Sequence, residues 1–121
     1  MKKRVCIFCA ASDKIPQIYF DETKDLTQRL VDKGFSIIYG GGSKGLMGQV
    51  AETTLEMQGE ITGVIPQFMI NVEWGNPNVK DMHVTETMAE RKRLLIDLSD
   101  AIIVLPGSTG TMDELFEALS D

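Results

Sequence analysis

The chain alternates between short strand-like segments, most of them apolar, and longer segments with helical periodicity, and this alternation constrains the fold more than any other feature. Strands without a polar face are buried on both sides, which is typical of a parallel sheet between two helical layers. We therefore predict an α/β fold with a doubly wound parallel sheet and helices on both faces. The predicted strands are residues 4–9, 35–39, 61–65, 80–84 and 101–105, and the predicted helices are residues 16–32, 46–58, 87–98 and a last helix from Thr111.

Local signals place the ends and faces of two of these helices. The helix at residues 87–98 begins after Thr87, a predicted N-cap, and Glu90 three residues later is typical of a capping box. Residues 67–79 show neither helical nor strand periodicity, so we predict an irregular segment there. The predicted apolar stripe of the helix at residues 16–32 consists of Ile18, Leu26, Leu30 and Val31.

Length and charge bound the number of domains and the class of partner. A chain of 121 residues is ordinary for one domain, here residues 1–121, and 43% hydrophobic content can supply a core. A net charge of −6 opposes binding to nucleic acid or to a membrane surface. No apolar run approaches the roughly 18 residues of a membrane span, so we expect a cytoplasmic protein. Because the last residues fall inside an amphipathic helical pattern, we expect the domain to lack its C-terminal part.

The two cysteines form one C-x-x-C motif within the first predicted strand. Residues three apart on a strand point to opposite faces, so Cys6 and Cys9 are poorly placed to act together. With no second pair and a single histidine, His83, a zinc site would lack ligands. We expect two buried thiols and no metal site, and we interpret His83 as structural.

Two glycine-rich loops follow predicted strands and open predicted helices. The first runs from Gly40 to Gly48 and matches neither a dinucleotide fingerprint nor a Walker loop. Its backbone amides could hold a phosphate or a sugar, or the loop could be a tight turn without a ligand. The second loop follows residue 105 and offers amides and hydroxyls for a phosphate, through Gly107, Ser108, Thr109, Gly110 and Thr111.

Charged residues flank the second loop on both sides. Glu114 lies in the first turn of the last predicted helix, where it either serves the reaction or complements the helix dipole. Arg91 and Lys92 lie near the start of the preceding helix, where they either clamp an anion or ribose or form part of a solvated basic face. The residues alone leave both pairs of alternatives open.

The motifs in these regions resemble the LONELY GUY (LOG) family of cytokinin riboside 5′-monophosphate phosphoribohydrolases. The family signature P-G-G-x-G-T-x-x-E follows a helix with E/Q-R-K, and the spacing from Arg91 to Glu114 agrees with that of the family's functional arginine and glutamate. The glycine-rich loop at 40–48 and the opening strand are also similar. The matching stretches of this chain are VCIFC at 5–9, GVIP at 63–66, MAERK at 88–92, SDA at 99–101 and PGSTGTMDE at 106–114.

The resemblance implies a Rossmann-like enzyme, usually a homodimer, that hydrolyses the N-glycosidic bond of a nucleoside 5′-monophosphate without a cofactor. It makes Arg91 and Glu114 the catalytic candidates and places the phosphate on the second glycine-rich loop. Trp74 could stack on a base, although a partly buried loop anchor is the simpler interpretation. The substrate-binding candidates are Ser12, Gly41, Gly42, Met88, Lys92, Gly107, Ser108, Thr109, Gly110, Thr111 and Ser120.

Two departures from the family pattern affect the phosphate loop and the first loop. Ser108 stands where the family has glycine, and the common C-G-S-S reads Cys9-Ala10-Ala11-Ser12, so one candidate hydroxyl is missing. Two other functions remain open: a non-enzymatic nucleotide or molybdenum-cofactor carrier on the same fold, and a general nucleotide nucleosidase. Many relatives have been labelled lysine decarboxylase, but this chain has no lysine motif for pyridoxal phosphate.

Overall fold

A computed structural model describes residues 2–105, which form a five-stranded parallel sheet with helices on both faces. The strands are β1 (Arg4–Phe8), β2 (Ser36–Tyr39), β3 (Ile61–Pro66), β4 (Asp81–Thr85) and β5 (Ala101–Val104), in the order β4-β3-β2-β1-β5. The helices are α1 (Gln17–Asp32), α2 (Gly45–Glu56), α3 (Ile70–Glu73) and α4 (Met88–Asp97), and a 3₁₀ turn at Gln67–Met69 precedes α3. The predicted fold class is confirmed.

Each face of the sheet packs against its own helical layer. On one face, Ile7, Ile37 and Tyr39 pack with residues of α2, and side chains of α1 cover them further. On the other face, Phe8 and Val64 pack with Leu95 of α4. Cys9 belongs to the first cluster and Cys6 to the second, and both thiols are buried, as predicted.

The buried face of α1 agrees only in part with the predicted stripe, of which Leu30 and Val31 pack against the core. Ile18 is 58% exposed, whereas Thr23 and Thr27 are buried. Each buried hydroxyl donates to the carbonyl four residues earlier, at 2.6 Å for Thr23 and 2.7 Å for Thr27. Because this bond satisfies the hydroxyl inside the helix itself, a threonine can occupy a helix interface that the apolar pattern assigns to larger residues.

The two edge strands are more exposed than the sequence pattern predicts. The central strands β1, β2 and β3 are buried almost throughout, as expected of strands covered on both faces. In β5, Ala101 and Ile102 are exposed, because among residues 2–105 this strand lies at the edge of the sheet and α4 packs on β3 and β4. An apolar composition therefore does not establish burial at a sheet edge.

The predictions for the start of α4 and for residues 67–79 were partly right. Thr87 is the N-cap of α4 and its hydroxyl accepts a bond from the amide of Glu90 at 3.1 Å, as the capping box predicts. Residues 67–79 were predicted to be irregular, which is wrong for the 3₁₀ turn and α3. These elements are only three and four residues long, too short to show a helical period. Within residues 2–105, no helix is long and apolar enough to cross a membrane.

Candidate active site

The parallel sheet brings the loops that follow β1 and β2 together at its carboxyl edge. The carbonyl of Ala10, just after β1, accepts bonds from the amides of Leu46 and Met47 at the start of α2, at 3.0 and 3.3 Å. Leu105, where the second glycine-rich loop begins, donates to the carbonyl of Phe8 at 2.9 Å. Ligands of such sheets bind at this edge, so the fold places the candidate residues where a site is expected.

Arg91 lies inside the protein beneath this edge rather than on a solvated face of α4. Its side chain is 1% exposed. The Nε atom donates to the carbonyl of Val64 at 3.1 Å, and Nη2 donates to the carbonyl of Gly40. The helix therefore aims this guanidinium at the ends of β2 and β3, and the interpretation of Arg91 as part of a solvated basic surface is wrong.

Glu73 is the partner of Arg91, and sequence reasoning missed it. Its Oε1 accepts from Nη2 of Arg91 at 2.7 Å, and the whole residue is only 8% exposed. Glu73 is the last residue of α3, within the segment predicted to be irregular, so no pattern indicated its burial. One signal existed: an arginine one helical turn before Leu95 on a core-facing stripe needs a buried acid to neutralise it.

One nitrogen of the Arg91 guanidinium has no oxygen acceptor among residues 2–105. Nη1 contacts only the sulfur of Met88, at 3.9 Å, and a thioether is a weak acceptor. The other two nitrogens already donate to carbonyl or carboxylate oxygens. Nη1 is therefore the guanidinium nitrogen that no described oxygen accepts from, and it lies on the side of the half-buried Met88.

The first glycine-rich loop allows this close approach. A methyl group on Gly40 would lie 2.6 Å from Nη2 of Arg91, so a side chain there would displace the guanidinium. Gly41 has φ +84°, which favours glycine. Its carbonyl accepts from the amide of Asn76 at 3.0 Å, and the carbonyl of Gly42 accepts from the hydroxyl of Tyr39 at 2.9 Å. These contacts describe a tight turn, and substrate contacts through Gly41 and Gly42 remain predictions.

The amides at the start of α2 are already occupied by protein groups. Asp13 accepts from the amide of Gly45 at 2.8 Å, while the next two amides donate to the carbonyl of Ala10. An anion at this helix end would have to displace a carboxylate. Burial raises the pKa of Tyr39 far above its usual value, so its hydroxyl keeps the proton that it donates to Gly42.

The other predicted site residues occupy varied surroundings. Ser12 is exposed next to Asp13, and its Oγ accepts from the amide of Lys14 at 3.1 Å. Lys92 is half-buried on α4. His83 pairs with Asp81 at 3.3 Å on the edge strand β4. The remaining predicted residues lie outside the described range: Gly107, Ser108, Thr109, Gly110, Thr111, Glu114 and Ser120.

Trp74 is more exposed than predicted. The residue is 58% exposed, so the interpretation as a partly buried loop anchor is wrong for the indole. The backbone of Trp74 is anchored, because its carbonyl accepts a hydrogen bond from the hydroxyl of Ser43 at 2.6 Å. Within residues 2–105, no group of three or more histidine, cysteine, aspartate or glutamate residues could hold a metal ion.

Comparison with known proteins assigns the chain to a family. Residues 47–121 match a family model described as "Possible lysine decarboxylase", which is more than half of the chain. The chain belongs to this family. Within the possible lysine decarboxylase family, the chain is 38% identical over 117 residues to a rice (Oryza sativa subsp. japonica) protein named "Probable cytokinin riboside 5′-monophosphate phosphoribohydrolase". It is also 37% identical to a Mycobacterium tuberculosis protein named "Cytokinin riboside 5′-monophosphate phosphoribohydrolase".

These matches confirm the resemblance to the LOG family across almost the whole chain. They cover 97% of this chain in both cases, but 52% of the rice protein and 62% of the M. tuberculosis protein. The chain therefore spans about half to three-fifths of the length of these relatives. The solved structure of a molybdenum cofactor binding protein from Rippkaea orientalis is also similar, with a TM-score of 0.83 at 19% identity, covering 99% of this chain and 72% of that one. That likeness shows the fold alone.

We expect Glu73→Gln to destabilise the protein strongly. The substitution leaves the Arg91 charge buried without its partner, which typically costs about 3 kcal/mol, and for a chain of this size Tm should fall by roughly 10 °C in thermal unfolding. Asp25→Asn is the matched control, since it removes an exposed partner of Arg29 at 3.0 Å and exposed pairs contribute little. Equal Tm values for the two variants would contradict the importance of the buried pair.

Proposed function

We propose that the protein hydrolyses the N-glycosidic bond of a nucleoside 5′-monophosphate, either AMP or a cytokinin riboside 5′-monophosphate, to free base and ribose 5-phosphate. The buried Arg91–Glu73 pair at the carboxyl edge of the sheet carries this proposal. The pair holds the guanidinium of Arg91 in a fixed geometry, as a catalytic group requires. The names of relatives that are 37% and 38% identical supply the reaction class.

The chemistry requires a negative charge near the ribose and an activated water. Cleavage of the bond between C1′ and the base nitrogen passes through an oxocarbenium-like transition state. We assign Glu114 to the stabilisation of that cation or to the orientation of the water. Glu73 largely neutralises the guanidinium of Arg91, so we assign Arg91 to hydrogen bonding of a ribose or phosphate oxygen through Nη1 rather than to bulk charge.

The remaining groups of the substrate need their own contacts. We assign the phosphate to the amides and hydroxyls of the second glycine-rich loop, from Gly107 to Thr111, because a loop that opens a helix suits an anion. Binding energy from the phosphate positions the sugar, so nucleosides should be poor substrates. Met88 lies beside Nη1 of Arg91, which supports the assignment of Met88 to contact with the ribose or the base.

A carrier of a nucleotide or of the molybdenum cofactor is the second candidate. The shared fold with the Rippkaea orientalis protein supports it, although a fold hosts many functions. The presence of both Arg91 and Glu114 favours the enzyme, since a carrier has no transition state to stabilise. We also propose that the protein is cytoplasmic and forms a homodimer. Size-exclusion chromatography with light scattering would test the dimer.

The test is an assay of base release from AMP, isopentenyl-AMP and adenosine. We expect release of free base and ribose 5-phosphate from at least one nucleotide, with kcat/KM at least about tenfold above that for adenosine, because the phosphate supplies binding energy. Tight binding of AMP without turnover would favour the carrier. No binding and no turnover would contradict both candidates. Comparison of the two nucleotides identifies the N6 substituent that the site accepts.

A further inference from the structure

We propose that the indole of Trp74 is the surface on which the base of the substrate nucleotide stacks, with Lys44 as the positioning residue of that indole. The inference rests on the proposed function, and it names the group that recognises the base.

The backbone at Trp74 is held in an unusual conformation by contacts with the first glycine-rich loop. Its φ is +52°, in the left-handed region that bulky residues rarely adopt. On one side, Ser43 donates to its carbonyl at 2.6 Å, and on the other, Gly75 forms an antiparallel bridge with Gly42. Disfavoured backbone that the surroundings hold in place is a recurrent feature of ligand sites.

The fixed backbone presents an aromatic ring to solvent. Trp74 is 58% exposed, although its neighbour Glu73 is 8% exposed and bonded to Arg91. Nζ of Lys44 lies 4.1 Å from the ring centroid, a cation–π contact that orients the indole. A large apolar ring held outward and oriented is suited to a planar ligand, because every base has a π-face that can stack on it.

The sheet order relates Trp74 to the end of β5. Trp74 contacts the loop after β2 through Ser43, and only β1 lies between β2 and β5. Because neighbouring strands lie about 4.8 Å apart, the carboxyl ends of β2 and β5 are about 10 Å apart, a distance that a nucleoside monophosphate can span from base to phosphate. Arg91 contacts the carbonyls of Gly40, just after β2, and Val64, in β3, at the Trp74 end of this span.

Trp74 is the only tryptophan of the chain, so it reports directly on its own contacts. We expect AMP and adenine to change the intrinsic tryptophan fluorescence saturably, and ribose 5-phosphate to leave it unchanged. The titration is made with Glu114→Gln, which is expected to bind AMP like the wild type but to turn it over about 10²- to 10⁴-fold more slowly. A response to ribose 5-phosphate that equals the response to AMP would overturn the assignment of the base to Trp74.

Kinetics of matched variants test the contact. Trp74→Asn removes the ring but keeps a residue that tolerates positive φ. Stacking on an aromatic side chain typically contributes enough for a loss of about 5- to 100-fold, so KM for AMP should rise by that factor with kcat within about threefold. Trp74→Phe should stay within about fivefold of wild type. Phe68→Ala is the control, since Phe68 is 57% exposed nearby in the chain and has no assigned role.

Lys44 variants test the positioning role separately. Lys44→Arg keeps a cation over the ring and should preserve KM, whereas Lys44→Met should raise it by about two- to fivefold. If wild type cleaves AMP but Trp74→Asn matches Phe68→Ala in KM, the inference is wrong and the proposed function stands. If wild type neither cleaves nor binds AMP, the proposed function fails and the inference fails with it. A Trp74→Asn variant that changes the oligomeric state but not KM would assign the ring to a protein interface and overturn the inference.

Discussion

Glu114→Gln is expected to lower kcat by about 10²- to 10⁴-fold while leaving KM for AMP within about threefold of the wild-type value. The amide keeps the size and shape of the side chain but removes its charge and replaces one acceptor oxygen with a donor NH₂. The charge matters most when the ribose becomes cationic, so its loss affects the transition state far more than the bound substrate. Steady-state assays of base release give both constants.

The neighbouring acid provides the control for Glu114. Asp113→Asn removes one negative charge from the same predicted helix start, and with it any general effect of the helix dipole. We expect this variant to remain within about threefold of wild type in kcat. An equal loss in both variants would assign Glu114 to helix stability, and activity within threefold in Glu114→Gln would remove it from the mechanism.

Arg91→Lys is expected to lower kcat/KM by about 10²-fold and to lower Tm as well. Lysine keeps the positive charge but has one nitrogen, whereas Arg91 bonds two carbonyls and a carboxylate through two nitrogens and keeps a third for the ligand. The ammonium can stay near Glu73 or reach the ligand, but it cannot do both in the same geometry. Arg93→Lys, an exposed site on the same helix, is the control and should retain full activity.

A double variant separates the catalytic role of Arg91 from its structural role. Arg91→Met alone leaves the carboxylate of Glu73 buried without a partner, which typically lowers the free energy of unfolding by about 3–5 kcal/mol. Combining it with Glu73→Leu removes that lone charge, so we expect part of the lost Tm to return while base release stays absent. Recovery of both stability and activity would make the pair a structural feature only.

The fold class could be predicted because its signals are local and numerous. Five strand-like segments alternate with helical ones, and each error at their ends is a residue or two. The start of α4 was predictable to the residue, since the side chain of Thr87 satisfies an amide only three positions away. A capping bond of this kind depends on the neighbouring sequence alone.

Burial was less predictable because it depends on what packs above each residue. Ile18 fits the apolar stripe of α1 yet is exposed, and Thr27 is fully buried. The residues of β5 are as apolar as those of β2, but only β2 lies in the centre of the sheet. Strand order is a property of the whole chain, and no single segment encodes it.

The same distinction between local pattern and tertiary packing applies to the candidate site. The sequence by itself predicted a functional role for Arg91, because its motif and its spacing to Glu114 match a family pattern. Only the tertiary structure decided that Arg91 is buried and that Glu73, 18 residues earlier, is its partner. It also decided that Trp74 faces solvent. The physical reason is that a buried charge is stable only beside its counter-charge, and α3 and α4 meet only once β3 and β4 have paired in the sheet.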